Sequence, residues 1–135
     1  MNPDLIQQLR DSIDSLKSMK REKVLEVACG YGYVTDEILC DYFCEVHMFD
    51  QCTNAIDHVV TKFENEPKIT SKTKRTMQSF EWDDEWNCIV FRYCVGYLED
   101  EELKEVLIKA QKCLKGRVSI DKRGATQESY IIIQD

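Results

Sequence analysis

Two glycines, Gly30 and Gly32, follow the β-rich run Val24-Leu25-Glu26-Val27-Ala28, and Asp50 closes a second such run, Glu45 to Phe49. A glycine turn at the end of a buried strand lets backbone approach a ligand, and the N–H groups of a following helix suit an anion. An acid roughly 20 residues further on, at the end of the next strand, accepts hydrogen bonds from ribose hydroxyls. Glu26, Ala28, Gly30, Gly32 and Asp50, with Gln51 beside it, therefore read as a nucleotide pocket. The dinucleotide pattern Gly-x-Gly-x-x-Gly is not met, because position 28 is alanine and position 35 is threonine. That disfavours NAD. No Gly-Lys-Ser/Thr turn is present for a triphosphate.

Other chemistry-bearing residues are less organised. Seven cysteines suggest a disulfide scaffold until their spacing is read. Their number is odd, no Cys-x-x-Cys occurs, and Cys88, Cys94 and Cys113 fall in apolar runs where free cysteine acts as a small hydrophobe. His47 and His58 make no zinc site with them at a usual spacing, so no metal is expected. Reduced thiols point to the cytosol or nucleus. The acidic groups Asp83-Asp84-Glu85 and Glu99-Asp100-Glu101-Glu102 read first as a solvated loop and a helix start favoured by the dipole.

The elements that must position these residues follow from periodicity. Leu5, Ile6, Leu9, Ile13 and Leu16 mark a helix over 4–19. A second helix is expected from near Val34, turning Ile38 and Leu39 inward. Asn54 is placed to cap a third, with Ile56, Val59, Val60 and Phe63 inward. A third strand falls somewhere in 69–79, and Cys88 to Phe91 make a fourth. A helix over 100–115 presents Leu103, Val106, Leu107, Ala110, Cys113 and Leu114 on one face and stops at Gly116. Arg117 to Ile120 read as a fifth strand and Tyr130 to Ile133 as a sixth. Alternating strands and helices predict one α/β domain over 1–135, a mostly parallel sheet with helices on both faces.

The 135 residues suit one domain, and no apolar run reaches the roughly 18 residues of a membrane span. A net charge of −7 and a pI near 4.9 give no general attraction to a phosphate backbone or an anionic membrane. Nucleic acid and membrane are therefore not expected partners.

From Val24 to Thr35 the chain resembles motif I of class I S-adenosylmethionine (SAM)-dependent methyltransferases, and the resemblance runs from about residue 23 to 135. Within them it is most similar to the protein α-N-terminal methyltransferases, which act on Xaa-Pro-Lys N-termini. Three segments carry this likeness: Leu39 to Asp50, Ile89 to Asp100, and, more faintly, Gln127 to Asp135. The resemblance implies a Rossmann-like methyltransferase fold, lacking part of its C-terminal strands, and SAM as cofactor. It implies that Gly30 and Gly32 hold the methionine moiety, Asp50 the ribose, and Met77 and Gln78 the adenine. Arg92 then stands at a cofactor-contacting glutamine, and Tyr93 at a tryptophan lining the peptide channel.

Departures from the family are equally concrete. Tyr33 replaces an arginine that pairs with the cofactor carboxylate, and Tyr97 replaces a histidine. Where the family ends strand five with an acid and an asparagine for the substrate amine, this reading offers Lys122 and Arg123. An α-amine with a pKa of about 7.7–8.0 must lose a proton before attacking a methyl sulfonium, and two cations would repel it. Asp121 and Tyr97 remain as candidate catalytic residues, and Tyr93 and Tyr97 as substrate contacts. The expected function is N-methylation of a protein N-terminus, and the rival is a methyltransferase-like binding subunit without catalysis. An apolar strand at the sheet edge, with little chain to cover it, predicts a homodimer or a partner subunit.

Overall fold

A computed structural model describes residues 3–92, 94–115 and 128–134. Helix α1 spans Pro3–Ser15 and strand β1 spans Lys23–Val27. A π-helical turn Thr35–Leu39 passes into α-helical Cys40–Tyr42, together α2. Then come β2 (Glu45–Asp50), α3 (Thr53–Lys62), β3 (Ile69–Lys74) and β4 (Cys88–Arg92). A 3-10 turn at Val95–Tyr97 leads to α4 (Asp100–Lys112), and β5 is Tyr130–Gln134.

These strands make one sheet in the order β3-β2-β1-β4-β5, and every pairing is parallel. Such a sheet must be covered on both faces, which is why β1 and β4 are almost continuously apolar. Val24, Met48, Cys88 and Val90 pack beneath Leu9 and Ile13 of α1, Ile38 and Leu39 of α2, and Ile56 and Val59 of α3. On the opposite face Leu25, Phe49, Ile89 and Phe91 meet Val106 and Ala110 of α4. Phe80 and Trp82, from the loop between β3 and β4, complete that second layer. Edge strand β3 carries Lys72 and Lys74, a charged edge that resists pairing with another chain.

Several expectations shift. The first helix stops at Ser15 rather than near 19. Asn54 does not cap α3: Cys52 occupies that position without a side-chain bond, and Asp50 accepts its N–H instead, at 2.8 Å. Val60 is 45% exposed, because Ile56, Val59 and Phe63 define a buried stripe that leaves it at the margin. The largest correction concerns strand order. Tyr130–Gln134, expected as the sixth strand, pairs directly with β4, from Cys88↔Tyr130 to Arg92↔Gln134. Three β-branched isoleucines in a row suit this position, with Ile131 packing on one face and Ile132 on the other. The segment expected as strand five, 117–120, lies outside the described residues, as does Gly116. All seven cysteines are free. Among the described residues no helix is long and apolar enough to cross a membrane.

Gly32 has a structural reason for being glycine. Its φ is +82°, and an added Cβ would stand 2.6 Å from Phe63 Cε2 and 3.2 Å from Val59 Cγ1. At Gly30, φ is +57° but nothing lies within 4 Å. Gly32→Ala should therefore lose about 2–4 kcal/mol, combining left-handed strain with overpacking. Gly30→Ala should lose only about 1–2 kcal/mol, from strain alone. Urea denaturation of the two variants checks the difference.

Candidate functional site

Strand order reverses between β1 and β4, since the chain runs outward from β1 to β3 and then returns to β4 on the other side. A crevice outside the carboxyl ends of the strands is the consequence. Val27 pairs with both Phe49 and Phe91, so the ends of β1, β2 and β4 stand level. A cavity of about 450 Å³ opens there, within the range of small-molecule sites.

The wall at β1 is a left-handed turn. Ala28, Gly30 and Gly32 have φ of 58°, 57° and 82°, an unfavourable conformation for alanine. Backbone and carboxylate bonds hold the turn in place. Cys29 N–H donates to the Phe49 carbonyl at 3.0 Å, and Gly32 N–H to the Cys29 carbonyl at 3.2 Å. Gly30 N–H donates to Asp50 Oδ2 at 2.9 Å, while Asp50 Oδ1 takes the Cys52 N–H. Asp50 thus sits between the glycine turn and the start of α3, facing the cavity with acceptor capacity left on both oxygens.

Glu26 lies behind this wall, only 3% exposed, and the Thr35 hydroxyl donates to its carboxyl. Burial pushes its pKa up to about 7, against smaller lowering effects from Thr35 and Arg92. Arg92, ending β4, is half-buried and lines the cavity. Its Nε donates to Gln134 Oε1 at 2.6 Å, and Gln134 Nε2 donates to the Leu5 carbonyl of α1 at 3.0 Å.

The far side is apolar and built from loop. Met77 is buried, and its carbonyl accepts the Trp82 indole N–H at 3.1 Å. Phe49 stacks on Phe80 with ring centroids 4.4 Å apart. Gln78 Nε2 reaches Glu102 Oε2 of α4 at 3.1 Å. Glu102 also accepts the Glu99 N–H, as part of a capping box that begins α4. Those acids serve the helix start.

Of the residues expected at the site, Ala28, Gly30, Asp50, Gln51, Met77, Gln78, Arg92 and Tyr97 line the cavity. Tyr97 does so from the rim, 78% exposed. Glu26 and Gly32 are not in the lining: the first is a buried support and the second packs under Phe63. Tyr93, Asp121, Lys122 and Arg123 lie outside the described residues. Phe49, Cys52, Arg75, Thr76, Cys94 and Leu98 line the cavity without having been expected there. Phe49 and Cys94 look like core residues. Arg75 and Thr76 follow a strand whose end the sequence does not mark, although the rule that ligands meet strand ends would have found them.

Residues 4–131 match the family described as AdoMet dependent proline di-methyltransferase. The chain belongs to this family. No curated protein matches it in sequence. Among solved structures it is similar to a SAM-dependent methyltransferase from Leishmania major, with 17% identity and a TM-score of 0.82 over 96% of this chain and 49% of that one. A SAM-dependent methyltransferase from Clostridium acetobutylicum gives 15% identity and 0.73, covering 85% and 47%. The N-methyltransferase NodS from Bradyrhizobium japonicum, solved with S-adenosyl-L-homocysteine (SAH), gives 21% and 0.67, covering 84% and 58%. At these identities the likeness establishes the Rossmann-like methyltransferase fold. The chain spans about half the length of the Leishmania and Clostridium proteins.

A pH dependence follows from Glu26. Its folded pKa of about 7 exceeds its ordinary 4.5, so the native state holds the proton more tightly than the unfolded chain. The associated stability is fully present below pH 4.5 and is lost as pH rises through 7. The loss is on the order of 3 kcal/mol at most, at about 1.4 kcal/mol per unit separating the two values. Glu26→Gln keeps the shape and an acceptor for Thr35, and should flatten this slope. Chemical denaturation of both proteins between pH 5 and 8 checks it.

Proposed function

We propose that this chain holds SAM in the crevice between β1 and β4, and that the enzyme it forms methylates the α-amine of a protein N-terminus of the Xaa-Pro-Lys type. One observation carries the cofactor reading: an Asp50 carboxylate fixed by Gly30 and Cys52 N–H groups at the edge of a cavity of about 450 Å³. Asp50 has acceptors for ribose hydroxyls, Gly30 leaves room for the methionine arm, and Met77 and Phe49 offer an apolar surface to adenine. When bound, SAM supplies an electrophilic methyl group.

The acceptor class rests on the family's description, which names proline. An α-amine must shed a proton before it attacks, so the site needs a base or an anion near it. Asp121 and Tyr97 are the candidates for that role, with Asp121 answering the repulsion that Lys122 and Arg123 beside it in the sequence would impose. Tyr97, at the cavity rim, is the companion contact for the peptide, and Tyr93 joins it by resemblance. A second reading, a methyltransferase-like binding subunit without turnover, is favoured by Tyr33, Lys122 and Arg123, which depart from the resembled family's arginine, acid and asparagine. The proposal also has the chain work in the cytosol or nucleus with a second copy or larger subunit against β5, where Ile133 is 47% exposed. A fully active monomer in light scattering overturns that last part.

Calorimetry with SAM and SAH tests the cofactor reading. Asp50→Ala should weaken binding by about 1.5–3 kcal/mol, the loss of hydrogen bonds to a charged acceptor, in a protein that still melts cooperatively. Gly30→Val should abolish binding, because a β-branched residue at φ +57° is strained and occupies the cavity wall. Undiminished affinity in both variants defeats the pocket.

For the acceptor, Asp121→Asn should lower turnover on a Xaa-Pro-Lys peptide at least tenfold with little change in SAH affinity. Binding without turnover on any such peptide supports the second reading.

A further inference from the structure

The methionine arm of SAM ends in a carboxylate, and a guanidinium is the side chain best matched to it. The resembled family places an arginine for this purpose just after the glycine turn, the position of Tyr33. Here Tyr33 is 54% exposed and is not in the cavity lining. Its ring lies under the Lys62 ammonium at 5.2 Å, and Lys62 in turn pairs with Asp36 at 3.6 Å. Position 33 therefore directs its interactions toward α3 and away from the crevice.

Among the described residues two cations line the cavity, Arg75 and Arg92. Arg75 follows β3 on the far side of Asp50. It is exposed, its N–H donates to the Asp50 carbonyl, and its Nη1 donates to the Lys74 carbonyl at 2.9 Å. That is the side of Thr76 and Met77. Arg92 stands elsewhere. Val27 pairs with Phe91, so Arg92 is level with Ala28, beside the glycine turn. Cys88 and Val90 pack on the face covered by α1, α2 and α3, and strand alternation puts Arg92 on that same face. Its charge acts on the buried Glu26 there, and Gln134, braced on α1, orients its guanidinium.

Resting on the cofactor reading above, we infer that Arg92 is the anchor for the cofactor's carboxylate, the positive charge having moved from the glycine turn to the end of β4. Five donors in one plane let a guanidinium serve Gln134 and a carboxylate together.

The experiment compares SAH with 5′-methylthioadenosine, which keeps the nucleoside and thioether but lacks the amino-acid arm. Calorimetry should show Arg92→Gln losing at least tenfold in SAH affinity while methylthioadenosine affinity stays within about twofold, as expected for a lost charged hydrogen bond. Arg92→Lys should keep part of the SAH affinity, and Tyr33→Arg added to Arg92→Gln should restore part of it. A parent protein that binds neither ligand overturns the cofactor reading itself. A parent that binds SAH, with Arg92→Gln binding it equally, overturns the Arg92 assignment alone. Equal loss on both ligands also overturns it, since that marks a residue supporting the cavity as a whole.

Discussion

Asp50 accepts one backbone N–H from the turn after β1 and another from the first residue before α3. Each is a hydrogen bond to a charged acceptor, worth about 1.5–3 kcal/mol. Together they can offset the roughly 1–2 kcal/mol that a left-handed alanine at position 28 costs. The same carboxylate shapes the wall of the cavity and presents acceptors into it. Removing it would take those acceptors out of the cavity and loosen the turn.

Electrostatics around that wall are asymmetric. Asp50 is half-buried and held by N–H donors, whereas Glu26 is buried within β1, where the Thr35 hydroxyl donates to it. Burial dominates for Glu26, which is why its pKa climbs toward neutrality even with Arg92 nearby. The turn therefore brings together a carboxyl held by backbone N–H groups, a buried acid whose pKa is raised, and one guanidinium. An acid on the ribose side and a cation on the opposite side of Gly30 suit a ligand that carries hydroxyls at one point and a carboxylate at another.

The two faces of the sheet are covered differently, and the site reflects this. Helices α1, α2 and α3 cover the face of Glu26 and Arg92, while α4 shares the other with the loop between β3 and β4. No helix crosses over in that loop, so Phe80 and Trp82 fill its place by stacking on Phe49 and Phe91. The apolar side of the cavity is the inner surface of this aromatic cluster. Gln78, reaching Glu102, ties it to the start of α4.

Local chemistry made part of this legible in the sequence. The run from Val24 to Gly32, the strand ending at Asp50 and the apolar stripe of α4 each announce themselves through periodicity and turn residues within a dozen positions. Neighbours far apart in the chain were not legible. That Tyr130–Gln134 lies beside β4 depends on which isoleucines fit between two covered faces, a matter of the whole sheet. That Gly32 also packs under Phe63 does not show in the sequence. Val60 passes for core until Val59 and Phe63 set the buried stripe. Glu26 shows in sequence as an acid of the motif, but its near-neutral pKa comes from burial, which only the assembled layers impose. The sequence by itself determined the turn, the acid and the strands that carry them, because those depend on residues close together in the chain. Only the tertiary structure decided which side chains share the crevice and what charge they hold there, because that depends on strand order and exclusion of water.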